Sequence, residues 1–219
     1  MRGFAVMRWK WRTSSRSTTI RPGLASNPTD PVVRARSSIV IQSSSDQFRS
    51  PAKLLHWITA LIVIAVVIPA GVWIRYFEPA DQAFKMRLYN LHESFGVVVF
   101  SLVLIRLVYR WLYPPPAWPM NTPAWVRLLA GFSHASLYTL LILMPVTGFL
   151  ATNAWGFPLK VFEVLPLPSP IGKDEVLAKA LSFTHWCGAI AMGVLLTAHM
   201  AGGIYHRFMA RDALARRMF

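Results

Sequence analysis

The run from Leu181 to Tyr205, LSFTHWCGAIAMGVLLTAHMAGGIY, holds 25 residues and no Asp, Glu, Lys or Arg. A stretch of that length and composition reads as a helix crossing a bilayer. Two histidines lie in it, His185 and His199, fourteen positions apart. At about 100° per residue, fourteen steps bring the second imidazole back to within roughly 40° of the first. At about 1.5 Å per residue the same steps separate the two rings by about 21 Å along the axis. One helix thus presents two nitrogen ligands on one face at opposite depths. Ionisable groups are costly in lipid and mark functional sites there.

Three more apolar runs precede it. Leu54 to Ile74 carries His56 in its first turn, Trp73 at its far end, and Pro69-Ala70-Gly71 as a potential kink. Leu91 to Leu112 opens with His92 and closes with Arg106 and Arg110, which either snorkel to headgroups or meet anionic cofactor groups. About Leu128 to Thr152 carries His134 early and MPVTGF late. The fourth span extends to His206, so the spans cover about 54–74, 91–112, 128–152 and 181–206. Only 15% of the 219 residues are charged, well below a soluble domain, which fits an all-α membrane protein. The net charge of +14 sits in tails and loops, so nucleic acid is not the expected partner. The single cysteine, Cys187, rules out an intrachain disulfide and a cysteine-held iron–sulfur cluster.

Residues 1–50 hold nine Arg or Lys against two Asp and show no apolar period. An organelle transit peptide and a start site placed too far upstream are both compatible with that composition. We read the segment as a basic disordered extension. The four-span domain is then 51–219. A proline-rich link, YPPPAWPMNTPAW, joins the second and third spans, and residues 153–180 form an irregular loop able to cap one end.

Four spans put both termini on one side. Seventeen Lys and Arg fall on that side and six on the other, so the positive-inside rule predicts cytoplasmic termini. His92 and His185 then lie at matching depth in the outer half. His56, His134, His199 and His206 share the inner half, and spacing alone does not choose a pair among them. Paired imidazoles on facing helices suit bis-histidine ligation of haem, an apolar macrocycle that fills a bundle interior. A zinc-like ion would call for three or four ligands, and the spans have few carboxylates to supply them. A proton relay needs no matched pairs. No CxxCH occurs, so a haem here is non-covalent and b-type.

The runs SPAKLLHWITAL, HESFGVVVFSLVLIRLVYR, YPPPAW, SHASLYTLLILMPVTGF and HWCGAIAMGVLLTAHMAGGIYHRFMARDALARR occur in one collinear order from about residue 50 to the C-terminus. Together they resemble the bacterial cytochrome b561 family. The resemblance implies a four-transmembrane-helix up-down bundle in the inner membrane enclosing two b haems. It implies that His56 and His199 hold the inner haem iron, and His92 and His185 the outer. Trp186 stands where a polar or acidic residue often follows that histidine, so the partner of the His185 ring is left open. The family links to the quinone pool, and superoxide has been assigned as electron donor for similar proteins. The expected function is therefore transmembrane electron transfer as an oxidoreductase, in its sharpest form from superoxide to a quinone. An unknown redox protein is the other donor considered. His206 is either a quinone contact or an interfacial polar residue. The alternatives are the membrane cytochrome b subunit of a dehydrogenase or hydrogenase complex, and a haem-free metal or proton transporter.

Overall fold

The computed structural model describes residues 47–77, 81–120 and 122–218; the basic extension read over residues 1–50 lies almost wholly outside them. Four long apolar helices follow one another: α1 Ser50–Tyr76, α2 Gln82–Leu112, α3 Ala124–Ala154 and α4 Glu175–Ile204, the last continued by a π-helical turn at Tyr205–Met209. Each is long and apolar enough to cross a membrane. Large apolar side chains such as Leu61, Ile64, Leu104, Ile105, Leu128, Ile190 and Val194 are exposed on the four helices, as lipid-facing surfaces require.

The helices outrun the apolar runs that announce them. Asp81 caps α2 by accepting from the Ala83 N–H at 2.8 Å, so the helix begins at Gln82, nine residues before the run expected to begin at Leu91. Asp174 caps α4 by accepting from the Val176 and Leu177 N–H groups, both at 3.0 Å, so this helix starts at Glu175 rather than at 181. Hydropathy stops at the first charge, whereas a helix continues wherever a cap satisfies its free N–H groups. The loop expected over 153–180 is correspondingly shorter. It begins at Trp155, where Gly156 takes the left-handed conformation (φ 91°) and closes α3. It contains a two-stranded antiparallel hairpin, β1 Lys160–Val161 and β2 Leu165–Pro166. A short helix, α5 Ala213–Arg216, ends the chain.

Two prolines sit inside spans, and the backbone accommodates each differently. In α1 a π-helical turn, Val63–Val67, precedes Pro69, which falls in the first turn of the resumed helix. That position needs no N–H from proline. In α3, Pro145 sits within a continuous helix.

Consecutive helices pack on one another: α1 on α2, α2 on α3, α3 on α4. Among the described residues, no Cα of α4 comes within 8 Å of one on α1 or α2. Side chains alone reach across that slot. A small core of Val63, Val99 and Val103, flanked by Leu107, Tyr138, Ile142 and Leu196, fills mid-bundle. One end is tied by the chain's last residues. The Trp57 indole N–H donates to the Met218 carbonyl at 3.0 Å, and the buried Arg217 donates to the Ala117 carbonyl at 2.6 Å. We call this the terminal end. The opposite, hairpin end is clamped by Asn90, whose amide donates to the Lys160 carbonyl at 2.6 Å. Beside it the Phe162 N–H donates to the buried Ser94 hydroxyl at 2.7 Å.

Two candidate haem sites

Five of the six histidines fall into two groups at opposite ends of the slot. At the hairpin end, His92 of α2 and His185 of α4 face each other with ring centroids 6.1 Å apart. At the terminal end, His56 of α1 and His199 of α4 stand 6.3 Å apart, and His134 of α3 lies 5.4 Å from His199. His206 is outside this cluster; its Nδ1 meets the Asp212 carboxylate at 2.6 Å. Because α4 is unbroken from Glu175 to Ile204, its two histidines remain about 21 Å apart along the axis.

Each hairpin-end ring is seated the same way. The His92 Nδ1–H donates to the Val67 carbonyl at 2.9 Å, and the His185 Nδ1–H donates to the Met144 carbonyl at 3.0 Å. Four residues after each carbonyl is a glycine. A Cβ on Gly71 would stand 3.0 Å from the His92 Cε1, and one on Gly148 would stand 3.0 Å from the His185 Cε1. Carbonyl and glycine together make a notch that a flat imidazole fills. Thr147 adds to the second notch, its hydroxyl oxygen 3.2 Å from the His185 Nδ1. The ring partner that the sequence left open beside Trp186 is thus a backbone carbonyl of α3. A carbonyl holding Nδ1–H fixes the tautomer that leaves the Nε2 lone pair free, the arrangement common to metal-ligating histidines.

The terminal-end site is built differently. The Arg106 guanidinium, half-buried on α2, donates to the His56 Nδ1 at 3.1 Å and lies over the Tyr138 ring, 5.3 Å from its centroid. Arg106 therefore turns into the bundle rather than snorkelling outward.

The donor set fits a haem held between imidazoles. Two rings sharing one metal through opposed Nε2 atoms stand with centroids about 6.3 Å apart, given metal–nitrogen bonds of about 2 Å. The His92–His185 and His56–His199 spacings match that figure, while His134 is nearer to His199 than such a bridge allows. Between α4 and the α1–α2 pair, where no Cα atoms of the described residues approach within 8 Å, the gap is bridged by side chains, these imidazoles among them. The sequence reading missed the two notches, although IPAG and MPVTG, a proline followed by a glycine two or three residues on, carried them.

Four helices long and apolar enough to cross a membrane, with facing imidazole pairs at two levels of one slot, define a helical membrane protein with paired histidines in its interior. A family model described as prokaryotic cytochrome b561 matches residues 47–219. The chain belongs to that family, whose business is membrane electron transfer on b-type haem. Among its relatives is cytochrome b561 homolog 2 of Escherichia coli (strain K12), 28% identical over 163 residues, covering 74% of this chain and 86% of that protein. Cytochrome b561 homolog 1 of the same strain is 25% identical over 177 residues, covering 79% and 97%. A protein described as probable superoxide oxidase CybB, of Yersinia pestis, is 26% identical over 165 residues, covering 75% and 90%.

Proposed function

We propose that this chain carries single electrons between two b haems, one ligated by His92 and His185 and the other by His56 and His199, from a donor at the hairpin end to a quinone at the terminal end. The observation that carries the reading is the match of both ring pairs, 6.1 and 6.3 Å, to the spacing of imidazoles sharing one metal. When bound, haem supplies reversible one-electron chemistry inside the bilayer. The protein's own part is to hold the rings: the Val67 and Met144 carbonyls orient two of them, and Gly71 and Gly148 give them room. The positive-inside count supports placing the hairpin end outside, with the termini in the cytoplasm of a bacterial cell.

Superoxide as donor is supported by the name of the Yersinia pestis relative. Each superoxide surrenders one electron and leaves as dioxygen, so two reduce one quinone, which also takes up two protons. A cavity of about 160 Å³ at the terminal end suits that last step. It is lined by Pro119, Thr122, Pro123, Val126, His206, Asp212 and Leu214. Its walls are mainly apolar, and its ionisable pair is His206 with Asp212. Asp212 occupies the His206 Nδ1 and leaves Nε2 to a quinone oxygen.

The test is haem content and low-temperature electron paramagnetic resonance of the six single His→Ala variants. His92→Ala and His185→Ala should each abolish or turn high-spin one haem signal, and His56→Ala and His199→Ala the other. His134→Ala and His206→Ala should retain two low-spin haems. Loss of the terminal-end signal in His134→Ala with its survival in His56→Ala would overturn that half of the assignment.

A further inference from the structure

The two sites differ in what their rings meet, and the difference has a sign. At the hairpin end both Nδ1 atoms donate to backbone carbonyls, Val67 at 2.9 Å and Met144 at 3.0 Å. An acceptor on Nδ1–H raises the basicity of the imidazole and favours the more oxidised, electron-poor state of a metal it holds. Glu93, next to His92 in the chain, turns its carboxyl to Thr152, whose hydroxyl donates to Oε1 at 2.6 Å. At the terminal end the group beside His56 is a guanidinium, Arg106, at 3.1 Å. Arginine stays charged in proteins, and Arg110 follows one turn later on α2. A fixed positive charge in a low-dielectric slot favours the reduced, electron-rich state of a metal beside it.

We propose that Arg106 makes the haem between His56 and His199 the higher-potential one of the two, so that an electron arriving at the hairpin end passes on to the terminal end. The proposal rests on the ligand assignment above. One electron is lost at the hairpin-end haem and gained at the terminal-end haem, with no atom or proton transferred between them. Arg106 is a positioning residue for charge, not a ligand. A proton count sharpens its role. Iron held by the His56 Nε2 would leave the ring's proton on Nδ1, where a guanidinium could not also donate. With haem bound, the guanidinium would act on the site as a charge held there by α2 rather than as a donor to the ring. Free, or paired with a haem carboxylate, it acts in the same direction, because removing it leaves the site one positive charge poorer.

The experiment is an optical redox titration of the purified holoprotein and of Arg106→Gln, Arg106→Lys, His56→Ala and His92→Ala. The two histidine variants assign the waves, since each should lack one of them. The wave missing in His56→Ala should be the higher-potential wave of the wild-type protein. Arg106→Gln should lower it by at least a tenfold change in electron distribution, about 59 mV for one electron, and leave the other wave in place. Arg106→Lys should keep most of the wild-type value. A His56-dependent wave that is the lower one in the wild type overturns the proposal without any Arg106 variant. So does an Arg106→Gln protein whose waves are unmoved, or whose His92-dependent wave moves instead. If His56→Ala and His92→Ala remove the same haem, or neither removes one, the ligand assignment fails, and that result is distinct from a failure of the tuning.

Discussion

Gly71 and His92 are in contact across the α1–α2 interface, close enough that a Cβ on the glycine would stand 3.0 Å from the ring's Cε1. Gly148 and His185 repeat the relationship between α3 and α4 at the same distance. In both, the carbonyl four residues before the glycine holds the ring's Nδ1–H. A methyl group at either glycine forces the ring to give by a few tenths of an ångström, and the carbonyl hydrogen bond resists that movement. Gly71→Ala and Gly148→Ala should therefore shift or broaden the low-spin resonance of the hairpin-end haem and lower its retention, leaving the terminal-end signal intact. Gly96→Ala and Gly193→Ala, where a Cβ meets nothing within 4 Å, are the controls and should leave both signals unchanged. Equal behaviour of all four variants would remove the notch from the account.

The spans were legible because lipid demands long uncharged runs, and four such runs are present. Their ends were not legible, since Asp81 and Asp174 continue α2 and α4 through polar residues that hydropathy scores as loop. Spacing placed His92 with His185 by depth, and their rings do face each other. The terminal-end group could not be resolved by spacing, because depth does not distinguish His56 from His134; both rings approach His199. The notches were invisible for another reason. A ring on α2 is held by a carbonyl of α1, and that pairing depends on how the helices cross rather than on either helix's own period. Arg106 shows the same limit, since an arginine near a span's end reads as a snorkelling residue until its rotamer is seen.

Beside the Asn90–Lys160 bond, the second tie of the hairpin-end clamp is one buried hydroxyl. Ser94 is fully buried, and its oxygen accepts the Phe162 N–H at 2.7 Å. Phe162 takes the left-handed conformation (φ 51°) at the hairpin turn, and its ring packs edge-on against Phe95 at 5.3 Å. That conformation is unfavourable for a bulky residue and persists only where contacts enforce it. Ser94→Ala leaves the Phe162 N–H without its acceptor, a loss of about 1–3 kcal/mol. Thermal unfolding in detergent should show a lower midpoint, and limited proteolysis should cut first within 157–167. The terminal-end haem signal should be unaffected. Wild-type resistance to proteolysis in that segment would show that the clamp does not depend on this bond.

His134 gives a prediction of the opposite kind. Its ring lies 5.4 Å from His199, nearer than two ligands of one metal stand, and its expected role is to pack against the His199 ring. His134→Phe keeps a flat ring on α3 and should retain both haems, whereas His134→Ala opens space beside His199 and should broaden the terminal-end signal without abolishing it. The pair of variants separates packing from ligation, because a ligand would be lost equally with phenylalanine and alanine.

The last prediction concerns proton supply to the quinone. Asp212 has two tasks on two oxygens: Oδ1 accepts from the Leu214 N–H at 3.0 Å and caps α5, while Oδ2 meets the His206 Nδ1 at 2.6 Å. Asp212→Asn keeps an oxygen for the cap and removes the anion that orients His206 and balances its charge after protonation. The fold at the terminal end should persist, so both haem spectra and the thermal midpoint should match the wild type. Donor-driven reduction of a short-chain quinone should slow by roughly tenfold to a hundredfold, the lower reach of general acid–base effects. His206→Gln should slow it comparably, and combining the two should add little, since they act as one unit. Haem reduction by the donor, measured without quinone, should keep its wild-type rate in all three. Slow quinone reduction accompanied by slow haem reduction would place the defect at the donor end and remove the dyad from the acceptor step.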